Sequence, residues 1–142
     1  MEIKTLTSED YDIIIDLWKR AELSYRPNGR DSKDEICRHM KENNDLFIGA
    51  FENNILIGVV VGSDDGRKGW INRLAVDLKH RKKGVARVLI NAVEDALRKR
   101  GRKIICTLIE DWNKNSLKLF RKCDYVLHKD IFYLSKRENE EV

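Results

Sequence analysis

The chain has 142 residues, of which 42% are hydrophobic and one is proline, which predicts one globular domain over residues 1–142 and excludes a disordered or collagen-like chain. The longest apolar run, Ile55 to Gly62, is shorter than the roughly 20 residues of a membrane span, and the start of the chain lacks the apolar stretch of a signal peptide. The formal net charge is +4, yet residues 1–60 carry a net −4 and residues 79–103 a net +8, which indicates an anionic partner such as nucleic acid, a membrane surface or a phosphate-bearing small molecule.

The cysteines and histidines argue for a reducing compartment and against a metal site. Cys37, Cys106 and Cys123 form no C-x-x-C motif and cannot all pair within the chain. We therefore expect three reduced thiols in a cytoplasmic protein. The three histidines show no metal-ligand spacing, and we expect no metal.

The first third of the chain predicts a strand followed by two helices. Glu2 to Leu6 alternates polar and apolar residues, as a short strand does. Thr7 to Asp10 can cap a helix, and the apolar residues that follow share one helical face: Ile13, Ile14, Leu17, Trp18 and Ala21. Ser32-x-x-Glu35 is a capping box that predicts a second helix.

The middle of the chain predicts a hairpin and a further strand. Leu46 to Glu52 and Ile55 to Ser63 are β-rich runs, and the two residues between them, Asn53 and Asn54, tolerate left-handed backbone. Trp70 to Val76 follows a polar loop and predicts the next strand.

The last part of the chain alternates helices and strands. A long apolar stripe predicts a helix from about Gly84 to Gly101. We then expect a strand over Lys103 to Ile109, a helix over Asn113 to Cys123, and one or two strands within Tyr125 to Leu134. This order predicts a mixed α/β fold with helices on both faces of one sheet.

The basic stretch between the strand that ends at Val76 and the long helix has the make-up of an anion site. First-turn N–H groups of a helix lack internal partners and carry partial positive charge. Small residues at Gly84 and Ala86 would let an anion approach the backbone, with mobile positive charge beside it on the side chains of Arg81, Lys82 and Lys83. The alternative is a turn that needs its glycine and a basic loop that is only solvated. Neither a Walker loop nor a G-x-G-x-x-G fingerprint is present.

Two motifs in this region resemble those of one enzyme superfamily. Arg81-Lys82-Lys83-Gly84-Val85-Ala86 matches the R/Q-x-x-G-x-G/A signature of the GCN5-related N-acetyltransferase (GNAT) superfamily. A second motif of that superfamily, N-x-x-A-x-x-L-Y-x-K-x-G-F, is similar to the run from Asn113 to Tyr125. The chain resembles in particular a subgroup of small, functionally unassigned members. The resemblance implies a mixed, mostly antiparallel central sheet with helices on both faces.

The resemblance also implies a site for acetyl-CoA. The backbone of Leu74 and Val76 would pair with the pantetheine arm, the N–H groups of residues 81–86 would hold the pyrophosphate, and Asn113 and Phe120 would contact the cofactor. The residues assigned to acetyl-CoA in this way are Leu74, Ala75, Val76, Arg81, Lys82, Lys83, Gly84, Val85, Ala86, Asn113 and Phe120. An amine would attack the thioester directly, and a backbone N–H near Leu74 would stabilise the oxyanion.

The residues that usually move protons in the superfamily are different here. Positions where members carry a glutamate hold Asn72, Arg73 and Leu108, and the motif tyrosine is Phe120. A phenyl ring cannot donate a proton, so the resemblance leaves the acid and the base unassigned.

Several substitutes can be named. Glu110, beside Asp111, follows the strand where the sheet should open, and could act as a base through a water molecule; the alternative is an exposed acidic pair that caps the next helix. Tyr125 and Cys123 could reach towards the thiol, but we expect Tyr125 to fill the core, as the phenylalanine of the superfamily motif does. An amine that is already deprotonated needs no dedicated base, only positioning.

Three functions compete at this point. The first is acetyl transfer from acetyl-CoA to a primary amine on a small molecule or peptide, and the second is a non-catalytic module that senses CoA. The third, nucleic-acid binding through residues 79–103, is disfavoured because the charge lies at the two ends of one helix without interleaved aromatic residues.

The acceptor side is less defined. Residues 1–45 hold 8 basic and 11 acidic side chains, which favours a cationic acceptor amine. The loop with Tyr25 and Arg26 lies where the superfamily covers its acceptor. No membrane partner is expected, and a homodimer is compatible with the resemblance.

Overall fold

The structure, a computed structural model, describes residues 1–142 and contains a single sheet of five strands in the order β1-β2-β3-β4-β5. The strands are β1 (Glu2–Thr5), β2 (Phe47–Glu52), β3 (Ile55–Asp64), β4 (Gly69–Val76) and β5 (Ile105–Thr107). The helices are α1 (Tyr11–Arg20), α2 (Lys33–Glu42), α3 (Val85–Lys99) and α4 (Lys114–Lys122). All neighbouring strands are antiparallel except β4 and β5, which are parallel.

Local sequence signals account for several of the element boundaries. The Ser32 hydroxyl accepts a hydrogen bond from the Glu35 N–H at 3.3 Å and caps α2. Asn53 and Asn54 join β2 to β3 with φ values of +51° and +65°, the left-handed backbone that a two-residue hairpin turn requires. The predicted hairpin and the Ser32 N-cap are therefore confirmed. The reciprocal bond of a capping box is absent, because the Ser32 N–H donates to the Gly29 carbonyl and the Glu35 carboxylate pairs with Arg38.

The sheet buries an apolar layer on each of its faces. On one face α1 and α2 cover a cluster that includes Leu17, Trp18, Met40 and Phe47, all at most 3% exposed. On the other face α3 covers a second cluster with Leu89, Ile90, Val93 and Leu97 fully buried. This confirms the predicted mixed, mostly antiparallel sheet with helices on both faces. None of the helices has the length and apolar character needed to cross a membrane.

The C-terminal part of the chain differs from the prediction. The strand expected over Lys103 to Ile109 covers only Ile105–Thr107, and the strands expected within Tyr125 to Leu134 do not form. Apolar residues in that segment are exposed, among them Val126 at 75% and Phe132 at 85%. A strand needs a hydrogen-bonded neighbour as well as suitable side chains, and the three residues of β5 pair only with β4.

The end of β4 opens the sheet. β5 pairs with β4 only over Gly69–Ile71, so the β5-side edge of β4 has no neighbour beyond that point. Just there Asn72 forms a β-bulge, because Ile71 lies opposite Gly62 of β3 while Arg73 lies opposite Val61. A bulge bends a strand and increases its twist. The two strands therefore separate towards the carboxyl end of β4.

Candidate active site

The open edge of β4 presents backbone groups that no other strand uses. The Asp77 N–H donates to the Ile57 carbonyl at 2.8 Å, and Ala75 lies opposite Val59 of β3. Because backbone groups alternate along a strand, those of Leu74 and Val76 point away from β3 to the open side. The Val76 carbonyl accepts a bond from Arg81 Nε at 3.4 Å, which leaves both N–H groups and the Leu74 carbonyl free.

The turn after β4 leads to an exposed helix N-terminus. Gly84 is the N-cap of α3 with φ +83°, Lys82 has φ +64°, and a Cβ added at Gly84 would meet no atom within 4 Å. The first intrahelical bond runs from the Val88 N–H to the Gly84 carbonyl, so the N–H groups of residues 85–87 lack intrahelical partners. No acidic residue lies in this first turn. Backbone turns of this kind bind anions, and they fit the pyrophosphate of CoA.

The basic side chains of this turn do not all remain mobile. Lys82, Lys83 and Arg87 are exposed and form no ion pair. Arg81 instead hydrogen-bonds the carbonyls of Val76 and Ala21, the latter at 3.3 Å. The prediction of a mobile charge on Arg81 is therefore wrong, because two carbonyl groups at the ends of β4 and α1 hold its guanidinium. Its backbone still lies in the turn.

The arginines of the second basic cluster, Arg98 to Lys103 at the C-terminus of α3, pair with carboxylates of the chain, whereas its two lysines are exposed. Arg100 pairs with Asp45 and Asp64, and Arg102 pairs with Asp64 at 2.9 Å. The hydrogen bond from Arg100 lowers the pKa of Asp45. Arg98 pairs with acidic residues one turn earlier on the helix. These three arginines are committed to carboxylates, which argues further against a nucleic-acid surface.

Several predicted cofactor residues lie in one apolar cluster. Phe120 on α4, at 5% exposure, belongs to the cluster of Val76 and Val85, and Leu74 and Ala86 pack against it. The Ala75 side chain lies on the opposite face of the sheet. Asn113 is half-buried, and its Oδ1 accepts the Ser116 N–H at 3.2 Å as the N-cap of α4.

The phenolic and thiol groups near Phe120 are poor proton donors. Tyr125 contacts the Phe120 ring edge-on at 5.0 Å between centroids and donates to Glu94 Oε2 at 2.6 Å. Burial, together with the bond to Glu94, raises the pKa of Tyr125. Burial likewise raises the pKa of Cys123. Both groups line an open cavity of about 1250 Å³ between α3, α4 and β5 and keep their protons at neutral pH.

Glu110 occupies the turn between β5 and α4. Its side chain is exposed and accepts a hydrogen bond from the Trp112 indole N–H, while its carbonyl accepts the Asn113 N–H at 3.0 Å. It forms no hydrogen bond to β4. No group of three His, Cys, Asp or Glu side chains is arranged to hold a metal ion.

Two features of the site have no clear motif in the sequence. The Asn72 bulge follows from pairing between distant residues, which no local pattern reports. A buried ion pair joins Arg73 of β4 to Asp31 in the connection between α1 and α2. The signal for it was an arginine inside a largely apolar strand, because a buried guanidinium requires a partner.

The chain belongs to the acetyltransferase (GNAT) family, whose sequence profile matches residues 11–125. Among solved structures it is similar to the PaiA N-acetyltransferase of Thermoplasma acidophilum in complex with coenzyme A, at 20% identity, TM-score 0.76, and coverage of 86% of this chain and 87% of that one. The aminoglycoside acetyltransferase AAC(6')-Iy with a CoA bisubstrate analogue is similar at 17% identity, TM-score 0.79, and 96% and 97% coverage. The ribosomal-protein-alanine N-acetyltransferase of Brucella melitensis is similar at 19%, TM-score 0.72, and 96% and 100% coverage.

Family membership confirms the prediction made from the two motifs. The chain is an acyltransferase of the GNAT family with acetyl-CoA as its co-substrate. The identities to the solved structures named above are all at or below 20%, so these neighbours support the fold alone.

Proposed function

We propose that the protein transfers an acetyl group from acetyl-CoA to a primary amine by direct attack within a ternary complex. The observation that carries the proposal is the continuity of the open β4 edge with the exposed N-terminus of α3. One ligand that bears amide groups along an arm and a pyrophosphate at its end matches both features. The similar structures named above include two that hold CoA or a CoA analogue.

In this proposal the backbone performs most of the binding. The free Leu74 carbonyl and Val76 N–H pair with the pantetheine amides as an added strand would, and the N–H groups of residues 81–86 hold the pyrophosphate. Lys82 and Lys83 add charge that attracts the anion. Phe120 and Asn113 line the arm. The Leu74 N–H stabilises the negative charge that forms on the thioester oxygen when the amine attacks.

Proton transfer depends on few side chains. Phe120 has no proton to give, and the hydroxyl proton of Tyr125 is held in a hydrogen bond to Glu94. We assign the base to Glu110 acting through water, because it is an exposed carboxylate that follows β5 at the open end of the sheet. If the acceptor amine already binds uncharged, positioning alone suffices, and the leaving thiolate takes its proton from solvent.

The charge of the acceptor is less restricted than the composition predicts. The α1–α2 connection, residues 21–32, holds two acidic side chains, Glu22 and Asp31, and two basic ones, Arg26 and Arg30. Asp31 is already paired within the fold. We therefore propose a primary amine as the acceptor, on a molecule for which this connection selects neither positive nor negative net charge. A cytoplasmic location fits the three free cysteines, and a homodimer remains compatible with the fold.

The test is turnover with a panel of amines. Purified protein is mixed with acetyl-CoA and a polyamine, an aminoglycoside, or a peptide with an N-terminal alanine, and thiol release is followed against a control without amine. Amine-dependent release with an acetylated product supports the proposal. CoA binding by calorimetry without thiol release on any amine would instead support the second candidate, a CoA-sensing module, which the absence of the usual proton-moving residues favours.

A further inference from the structure

A largely buried arginine, Arg73, lies beside the open end of β4. The Arg73 side chain is 14% exposed, and its guanidinium contacts Asp31 Oδ2 at 2.7 Å through Nη2 and the Ser24 carbonyl at 2.7 Å through Nη1. Its Cζ lies 4.7 Å from the centroid of the Trp18 ring. One planar group thus bonds two positions of the α1–α2 connection and stacks on α1.

Asp31 completes the arrangement from the other side. It is 3% exposed, and its Oδ2 also accepts the Arg26 N–H at 2.6 Å. The Tyr11 hydroxyl donates to the Asp31 carbonyl at 3.0 Å. Residues 24–31 are therefore tied to β4 and α1 through this pair. Independently of it, Tyr25 contacts the Trp18 ring at 6.5 Å between centroids, and Arg30 donates to the Val142 carbonyl at 3.1 Å. Removing one partner of a buried ion pair leaves the other charge without compensation.

The position of the pair limits how an acceptor can approach. Arg73 follows the Asn72 bulge and precedes Leu74, whose N–H faces the open edge. The Leu74 side chain packs in the cluster under α3, whereas Arg73 projects to the α1–α2 face over Trp18. Because the Leu74 and Val76 side chains pack into the apolar cluster under α3, we take the amine to reach the Leu74 N–H from the face that residues 24–31 border.

We propose that Arg73 is a positioning residue that, through Asp31 and Ser24, fixes residues 24–31 as a preformed wall of the acceptor site. This inference rests on the proposed acetyl transfer. Asp31 balances the charge of Arg73, so Arg73 fixes the position of residues 24–31 and takes no part in proton transfer. In the proposed function, acetyl-CoA contacts the β4 edge and the α3 N-terminus. Loss of the ion pair therefore weakens binding of the amine and leaves binding of acetyl-CoA unchanged.

Two variants separate this role from general stability. Arg73→Met keeps an apolar stem over Trp18 and removes both hydrogen bonds, and Asp31→Asn keeps the shape and removes the charge. Arg38→Met is the matched control, because Arg38 on α2 also contacts two carboxylates, those of Glu35 and Glu42, but is exposed. Should Arg73→Met fail to fold, Asp31→Asn carries the test.

The first measurement is trypsin cleavage of the Arg30–Asp31 bond in the folded protein. If the pair fixes this connection, we expect cleavage to accelerate at least about tenfold in Arg73→Met and Asp31→Asn and to stay at the wild-type rate in Arg38→Met, since local opening exposes the bond. Unchanged cleavage in both variants overturns the inference.

The second measurement is steady-state kinetics with the best amine of the panel. We expect the KM for the amine to rise about fivefold or more in both variants while the KM for acetyl-CoA stays within about twofold. Equal increases in both KM values would overturn the acceptor role. A wild-type protein without turnover would overturn the proposed function, and the cleavage rates would still decide whether the pair holds residues 24–31.

Discussion

Two glycines at opposite ends of α3 provide a matched test of the anion site. Gly84 and Gly101 have φ values of +83° and +89°, and a Cβ at either position would have no atom within 4 Å. Alanine at either position therefore clashes with nothing, and its cost is conformational, about 1–2 kcal/mol of unfolding free energy. We expect Gly84→Ala and Gly101→Ala to lower stability by the same amount in urea unfolding followed by tryptophan fluorescence.

The two variants should differ in CoA binding. A methyl group at Gly84 lies beside the free N–H groups of the first turn of α3, where a pyrophosphate must approach closely. We expect the CoA dissociation constant of Gly84→Ala to rise at least tenfold, about 1.4 kcal/mol, with Gly101→Ala unchanged in the same calorimetric titration. Wild-type affinity in Gly84→Ala, or an equal loss in Gly101→Ala, would refute the assignment of the pyrophosphate to this turn.

Three further experiments test charged residues of the site and of the turn after β4. The double variant Lys82→Gln with Lys83→Gln should weaken CoA binding about three- to tenfold at low salt and flatten its salt dependence, as titrations at several ionic strengths will show. Glu110→Gln should lower kcat at least about a hundredfold with CoA affinity kept, whereas Asp111→Asn should not; equal rates would exclude Glu110 as the base. Asp77→Asn should cost about 1–2 kcal/mol at pH 7. Because the Lys79 N–H and neighbouring cations lower the pKa of Asp77 in the folded protein, this stability is present above its ordinary pKa of 3.8 and is lost as the pH falls further, so the unfolding curves of wild type and variant should converge below that pH.

Local rules explain which parts of the fold the sequence could predict. Ser32 with Glu35 and Asn53 with Asn54 act within four residues of one another, so capping and hairpin geometry can be read from neighbours alone. The segment within Tyr125 to Leu134 has the composition of a strand and no partner in the structure. Its state depends on a distant edge, and composition carries no information about that edge.

The same division applies to the site. The left-handed backbone of Gly84 before α3 is a local property of the turn, which a glycine at that point in the sequence can indicate. The Arg73–Asp31 pair spans 42 positions, and the bonds from Arg81 to the Val76 and Ala21 carbonyls likewise depend on how α1 docks on β4. A charge count cannot distinguish a solvated arginine from one held by carbonyl groups.

The two ends of α3 have different roles, and this affects which substitutions the protein can tolerate during evolution. Arg100 and Arg102, after its C-terminal end, are bound to Asp45 and Asp64 and stabilise the fold, while the side chains of Lys82 and Lys83, before its N-terminal end, form no ion pair within the chain. Substitutions at one end are therefore largely independent of those at the other. A few surface substitutions can therefore abolish acetyl-CoA binding while the chain still folds. An acetyltransferase fold can in this way evolve into a protein that performs no transfer.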